Sequence, residues 1–171
     1  GARVERIAIT RQGDVTSLDL DRVEQLLPQH PRLLLFSHPS NPTGAVYTPE
    51  VLARVAELAT RGGFRVVVDE LYSRLVYDET PFTHLAILPG MDERCVTLLG
   101  PSKTESLSGF RIGLVVGPED VIAATEQILA ITSLRAPAYA QRLLPHWLVD
   151  DVDFVAARVL ELSALRSMTL D

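Results

Sequence analysis

Phe64-Arg65-Val66-Val67-Val68-Asp69-Glu70-Leu71-Tyr72 runs from a short apolar segment directly into two acids. An apolar run of this length, bounded by turn signals, reads as a strand of a parallel sheet. The turn signal before it is Gly62-Gly63, which closes a helix opened by Thr48-Pro49-Glu50. Thr is suited to the N-cap, Pro to the first helical position and Glu to the positive end of the dipole. Val51, Leu52, Val55, Leu58 and Ala59 form the inner stripe of that helix. Upstream, Leu33 to Phe36 is continuously apolar and predicts another strand, buried on both faces. Strand, helix and strand together make a βαβ crossover. Cys95 to Leu99 and Ile112 to Val116 add two further strands. The expected fold class is α/β, a mainly parallel sheet with helices on both faces.

The remaining segments are read from the same periodicities. Arg3 to Thr10 alternates as a strand and turns at Gln12-Gly13-Asp14. Ser17 to Leu27 has helical spacing, with Ser17 and Asp19 as candidate caps and Pro28 as its stop. Tyr77 to Pro89 is loop-like, and Met91 to Arg94 fits one helical turn. Gly117-Pro118-Glu119-Asp120 starts a helix with an apolar stripe of Val121, Ile122, Thr125, Ile128 and Leu129. A second helix, about Ala138 to Val149, is expected to bury Leu143, Leu144 and Trp147 and to kink at Pro145. Val152 to Leu165 is helical again.

With 171 residues, 47% of them hydrophobic, the chain can bury one sizeable core, so a single domain is the default. Its net charge of −6 gives no basic footprint for nucleic acid. The apolar runs are too short to span a bilayer, so no membrane partner is expected and a cytoplasmic setting is the simplest inference. Cys95 is the only cysteine and reads as a small core residue. The four histidines show no spacing typical of metal ligands, and no metal is expected.

Chemistry gathers where the strands end, as ligands do in open α/β sheets. The first strand delivers Ser40-Asn41-Pro42-Thr43-Gly44, which is also a good turn sequence. Asp69 follows three valines, and a carboxylate there is costly unless paired, either with a ligand or as the cap of a turn. Glu70 reads as a solvated loop edge. The third strand leads into Gly100-Pro-Ser-Lys-Thr-Glu-Ser-Leu-Ser-Gly-Phe-Arg-Ile-Gly113. Lys103 is its centre, because a lysine amine whose pKa is lowered by its surroundings forms an imine with an aldehyde. Gly109 permits close backbone approach, and Arg111 carries a planar fork suited to phosphate.

Asn-Pro-x-Gly, then Asp-x-x-Tyr, then Ser-Lys followed by Arg, in that order, resembles the class I and II aminotransferases, pyridoxal-phosphate enzymes of the aspartate aminotransferase fold. The likeness is strongest from about Leu33 to Gly117. It implies pyridoxal 5'-phosphate bound to Lys103 as a Schiff base, with Asn41, Asp69, Tyr72, Ser102 and Arg111 around it. Asp69 would pair with the pyridinium nitrogen, and Tyr72 and Asn41 would bond the phenolic oxygen. Lys103, Asp69 and Tyr72 are the expected catalytic set. The expected reaction transfers an amino group from an amino acid to a 2-oxo acid within a homodimer.

One departure concerns phosphate. Relatives usually carry Ser or Thr three residues before the lysine, where this chain has Gly100, so Ser102 or the Gly100 N–H is expected to serve. The resemblance also implies that residues 1–171 are the central portion of the large, cofactor-binding domain, with an N-terminal part and a C-terminal small domain outside them. The segment Ser133 to Gln141 corresponds to a dimer interface, where Arg135 would either meet an acidic group of the substrate or form a structural ion pair. Two rival functions remain open: another pyridoxal-phosphate reaction on the same fold (lyase, cyclase or O2-dependent oxidase or hydroxylase), and a non-catalytic aminotransferase-like domain.

Overall fold

The computed structural model describes residues 1–13, 15–77, 80–150 and 152–170. Its centre is a four-stranded sheet ordered β3 (Leu33–Ser37), β4 (Arg65–Asp69), β5 (Cys95–Leu99) and β6 (Leu114–Val116). β3, β4 and β5 run parallel, and β6 returns antiparallel to β5. The α/β class and the mainly parallel sheet are therefore as the sequence indicates.

Helix α2 (Pro49–Gly62) makes the β3–β4 crossover, and its ends are set as expected. Thr48 Oγ1 accepts a bond from Val51 N, a cap that typically contributes about 1 kcal/mol. Gly63 stops the helix at φ +66°, a conformation that favours glycine. A helix of this length is marginal alone in water, so packing decides its stability. Leu52, Val55, Ala56, Leu58 and Ala59 are all buried against Phe36, Val66, Val68 and Cys95 of the sheet. Tyr47, Phe64, Leu85 and Met91 complete this core. Burial raises the Cys95 thiol to about 11, which agrees with a packing role.

Several local expectations are corrected. The amino-terminal strand is shorter than read: β1 (Ile9–Gln12) pairs antiparallel with β2 (Val15–Leu18). Ser17 and Leu18 thus end a strand rather than start a helix, and Ser17 is not a cap. Val and Thr favour the extended state, and the hairpin satisfies their backbone groups. The helix α1 begins later (Leu20–Leu26), with Asp19 Oδ1 accepting from Arg22 N at 2.9 Å. Asp14, in the predicted turn, lies outside the described residues.

The strand β3 is not buried on both faces. Phe36 packs on the core, while Leu33 and Leu35 point to the opposite side, where Leu35 is 68% exposed. β3 is the edge of this sheet, and α1 and α2 pack on one side only of its alternating side chains. The long helix α4 (Glu119–Thr132) forms as predicted, but none of its residues is fully buried. An ion pair between Arg65 and Asp120 ties its start to β4. The next helix is broken into α5 (Ala138–Gln141), α6 (Leu143–Pro145) and a π turn over His146–Asp150; Trp147 is buried, but Leu143 and Leu144 only partly. The last helix, α7 (Val152–Leu170), runs further than predicted. No described helix is long and apolar enough to cross a membrane.

Candidate active site

The register of the sheet brings three loop starts to one level. Ser37 of β3 faces Asp69 of β4, which faces Leu98 of β5. Two backbone bonds extend the ladder beyond the strands, from His38 N to Asp69 O at 2.8 Å and from Glu70 N to Leu98 O at 2.9 Å. The Asn41 loop, the Asp69–Tyr72 turn and the lysine segment therefore leave neighbouring strands at their carboxyl ends.

The first loop is closed by its own backbone, with Gly44 N donating to Ser40 O and Ser40 N to Ala45 O. Asn41 N donates to Ser37 Oγ at 3.2 Å, and the side chain of Asn41 is exposed. The peptide bonds before Pro39 and Pro42 are cis. Asn41 and Tyr72 line the same open cleft of about 720 Å³, together with Ser40, Thr43, Tyr77 and Arg166.

Asp69 Oδ1 accepts a bond from Leu71 N at 3.1 Å, so its carboxylate does cap the turn after the strand. Its other oxygen carries no hydrogen bond among the described residues. The capping reading and the ligand reading are thus compatible, each using a different oxygen.

Lys103 sits in α3 (Pro101–Thr104), a single turn opened by Pro101 directly after β5. Its side chain is exposed, and its Nζ lies 5.9 Å from the centroid of the Tyr72 ring. Residues of two separate motifs, distant in sequence, are thereby placed together. Lys103 does not line the cleft that Asn41 and Tyr72 share, and neither do Asp69, Ser102 and Arg111.

Ser102 is half-buried and makes no side-chain hydrogen bond among the described residues. Arg111 is exposed with φ +50°, and its Nη1 donates to Ser108 O at 2.9 Å, leaving the rest of its fork unused among the described residues. At Gly100 a Cβ would lie 3.0 Å from Leu71 Cδ2, so a larger residue there would require the Leu71 side chain to shift by a few tenths of an ångström. Close approach is needed at Gly113, whose Cβ would lie 3.2 Å from Leu99 O, and not at Gly109, where nothing lies within 4 Å. Arg135 is exposed and forms no ion pair among the described residues.

Glu70 is a second correction. It is fully buried, and its Oε2 lies 2.5 Å from His84 Nδ1. Alternation explains this: Asp69 and Glu70 point to opposite sides, and the second acid enters the interior behind the loops. His38 is buried nearby, stacked between Tyr47 and Phe82 with ring centroids 5.6 and 4.5 Å away. The spacing of these residues carried no signal of their meeting, because the loop bearing His84 has no periodicity.

With this geometry in view, residues 1–169 match the family described as aminotransferase class I and II. The chain belongs to that family. An aspartate aminotransferase from Streptomyces avermitilis is 37% identical over 112 residues, 65% of this chain and 28% of the relative. The crystal structure of an aspartate aminotransferase from Rhodobacter sphaeroides superposes with a TM-score of 0.88 and 40% identity, over 94% of this chain and 42% of that one. N-succinyldiaminopimelate aminotransferase from Mycobacterium tuberculosis gives a TM-score of 0.88 at 31% identity, with the same coverage of 94% and 42%. The chain thus spans less than half the length of these relatives.

Class I and II aminotransferases depend on pyridoxal phosphate. The donor set here suits that group. Lys103 offers an amine with no hydrogen bond or ion pair among the described residues, and Asp69 keeps one carboxylate oxygen unbonded. Tyr72 stands beside the lysine and shares a cleft with Asn41, and Arg111 has guanidinium N–H groups to spare.

Proposed function

We propose that this chain carries the cofactor lysine of a pyridoxal-phosphate enzyme that transfers an amino group from an amino acid to a 2-oxo acid. The observation that carries the reading is the approach of Lys103 Nζ to Tyr72, which joins two of the three motifs in space. Bound pyridoxal phosphate supplies an aldehyde for amines and an electron-withdrawing ring.

The chain's own groups have separable tasks. Lys103 would hold the cofactor through its aldehyde and, as general base and acid, would move a proton at the α-carbon of the substrate. Asp69 accepts from the ring N–H and keeps that nitrogen protonated, since an adjacent anion favours the charged form. Tyr72 and Asn41 donate to the ring oxygen, and Arg111 and Ser102 bind phosphate. The protein works as a homodimer, a reading supported by exposed Leu134 and Tyr139 on the segment that the family resemblance assigns to the interface.

The test is an absorbance spectrum of the full-length protein with a panel of amino acids, followed by turnover with and without a 2-oxo acid. A visible band and an absolute need for the acceptor are expected. Absence of the band removes the cofactor, and turnover without an acceptor replaces transamination by lyase or oxidase chemistry.

A further inference from the structure

Two residues beyond Lys103 stands Glu105, whose side chain is only 2% exposed. A carboxylate so deeply buried must be paired and hydrogen-bonded to be tolerated. One oxygen pairs with Arg74 Nη1, and the other accepts from Thr104 Oγ1. Arg74 stands two residues beyond Tyr72, and its Nη1 also donates to Trp147 O at 3.4 Å. The tyrosine turn and the lysine segment therefore touch twice, at Tyr72 with Lys103 and at Arg74 with Glu105. The second contact reaches on to the buried Trp147.

The first contact cannot position itself. Lys103 has a long, flexible stem, is exposed, and lies on a four-residue helix that has no side-chain cap. Nor is stability a sufficient reason for the second contact, because an apolar pair of similar volume commonly stabilises an interior as well as a buried ion pair does. What the ion pair adds is direction: Arg74 Nη1 donates both to Glu105 Oε1 and to Trp147 O, so the guanidinium is held between acceptors on two separate segments.

We infer that Arg74 and Glu105 are positioning residues that lock the lysine segment to the tyrosine turn and so fix where the Lys103 amine stands. The inference rests on the reading of Lys103 as the amine that takes the cofactor aldehyde. Neither residue need touch substrate, since Glu105 is closed off by Thr104 and Arg74.

The experiment uses the full-length protein freed of cofactor, mixed with pyridoxal phosphate and quenched with borohydride, which reduces the lysine–aldehyde C=N to a stable amine. Peptide mass spectrometry then gives the rate of labelling at Lys103 across pH, beside a urea unfolding curve. Arg74→Gln/Glu105→Gln removes both charges of the pair together. It should unfold cooperatively yet label Lys103 about ten- to a hundredfold more slowly, the scale of loss expected from an ångström of misplacement. Labelling at the wild-type rate over the whole pH range overturns the positioning role and leaves the pair merely structural. Should the double variant fail to unfold cooperatively, Glu105→Asp, which keeps the charge and shortens its reach, decides in the same way: slowed labelling supports the role and unchanged labelling overturns it. No adduct at Lys103 in the wild type overturns the cofactor reading itself, and the inference with it.

Discussion

Glu70 Oε2 lies 2.5 Å from His84 Nδ1, the carboxylate fully buried and the imidazole about half exposed. The hydrogen bond to Glu70 is the main cause that raises the His84 pKa, against the opposing effect of burial. His38 shifts the other way, because burial outweighs the attraction of the Glu70 charge. The two histidines therefore shape stability with opposite signs. Above the ordinary value of 6.5 and up to the raised value of His84, the folded state holds the extra proton, so stability falls as pH rises. Below 6.5 and down to the lowered value of His38, the unfolded chain holds it, so stability falls as pH falls. His84→Gln should remove the alkaline limb and retain the acid one. Urea midpoints for wild type and variant over about pH 5 to 8, the range in which histidine titrates, check this. A wild-type-minus-variant difference that stays flat across that range sinks it.

Lys103→Ala should abolish the lysine–aldehyde C=N band of the cofactor-loaded, full-length protein and its turnover, while cofactor still binds through Arg111 and the neighbouring backbone. The readouts are the spectrum and a cofactor titration by fluorescence. Turnover near the wild-type rate in the variant excludes Lys103 as the reacting amine.

The two oxygens of Asp69 allow a sharper test than removal of the side chain. Asp69→Asn keeps an acceptor for Leu71 N and loses only the charge, whereas Asp69→Ala loses both. If the charge holds the ring nitrogen protonated, both variants should lose kcat by about two orders of magnitude or more at saturating cofactor, the range seen when one electrostatic partner of a reacting group is removed. Only Asp69→Ala should also lose the capping contribution to stability. Full activity of Asp69→Asn would show that the carboxylate is a turn cap alone.

What the sequence disclosed follows from how local each signal is. Thr48-Pro49 and Gly63 mark the ends of α2 because capping is decided within one turn, and the Leu33 and Val66 runs mark strands because a parallel sheet demands continuous apolar character. The placing of Lys103 by Tyr72 was legible only through the order of motifs. Arg74–Glu105 and Glu70–His84 were not, since a long-range pair of opposite charges leaves no periodicity behind. The one usable trace was offset: Arg74 follows Tyr72, and Glu105 follows Lys103, by the same two residues. The hairpin was missed because Val15 to Leu18 is compatible with helix or strand, and pairing with Ile9–Gln12 decides between them.

The last prediction concerns residues 1–171 expressed alone. Leu33 and Leu35 on the open side of β3, Ile128 and Ile131 on α4, and Leu160 and Met168 on α7 are all exposed, Ile131 to 86%. Soluble monomers rarely leave so many large apolar side chains without a partner surface, and the edge of β3 can recruit another strand. The isolated segment should therefore sediment as oligomers or aggregates and fail to turn over amino acids, whereas in the full-length protein the proposed homodimer should cover these faces. Sedimentation velocity with parallel cofactor titration measures both properties. A monodisperse monomer that binds pyridoxal phosphate and transaminates would show that these apolar faces need no cover and that the segment is sufficient by itself.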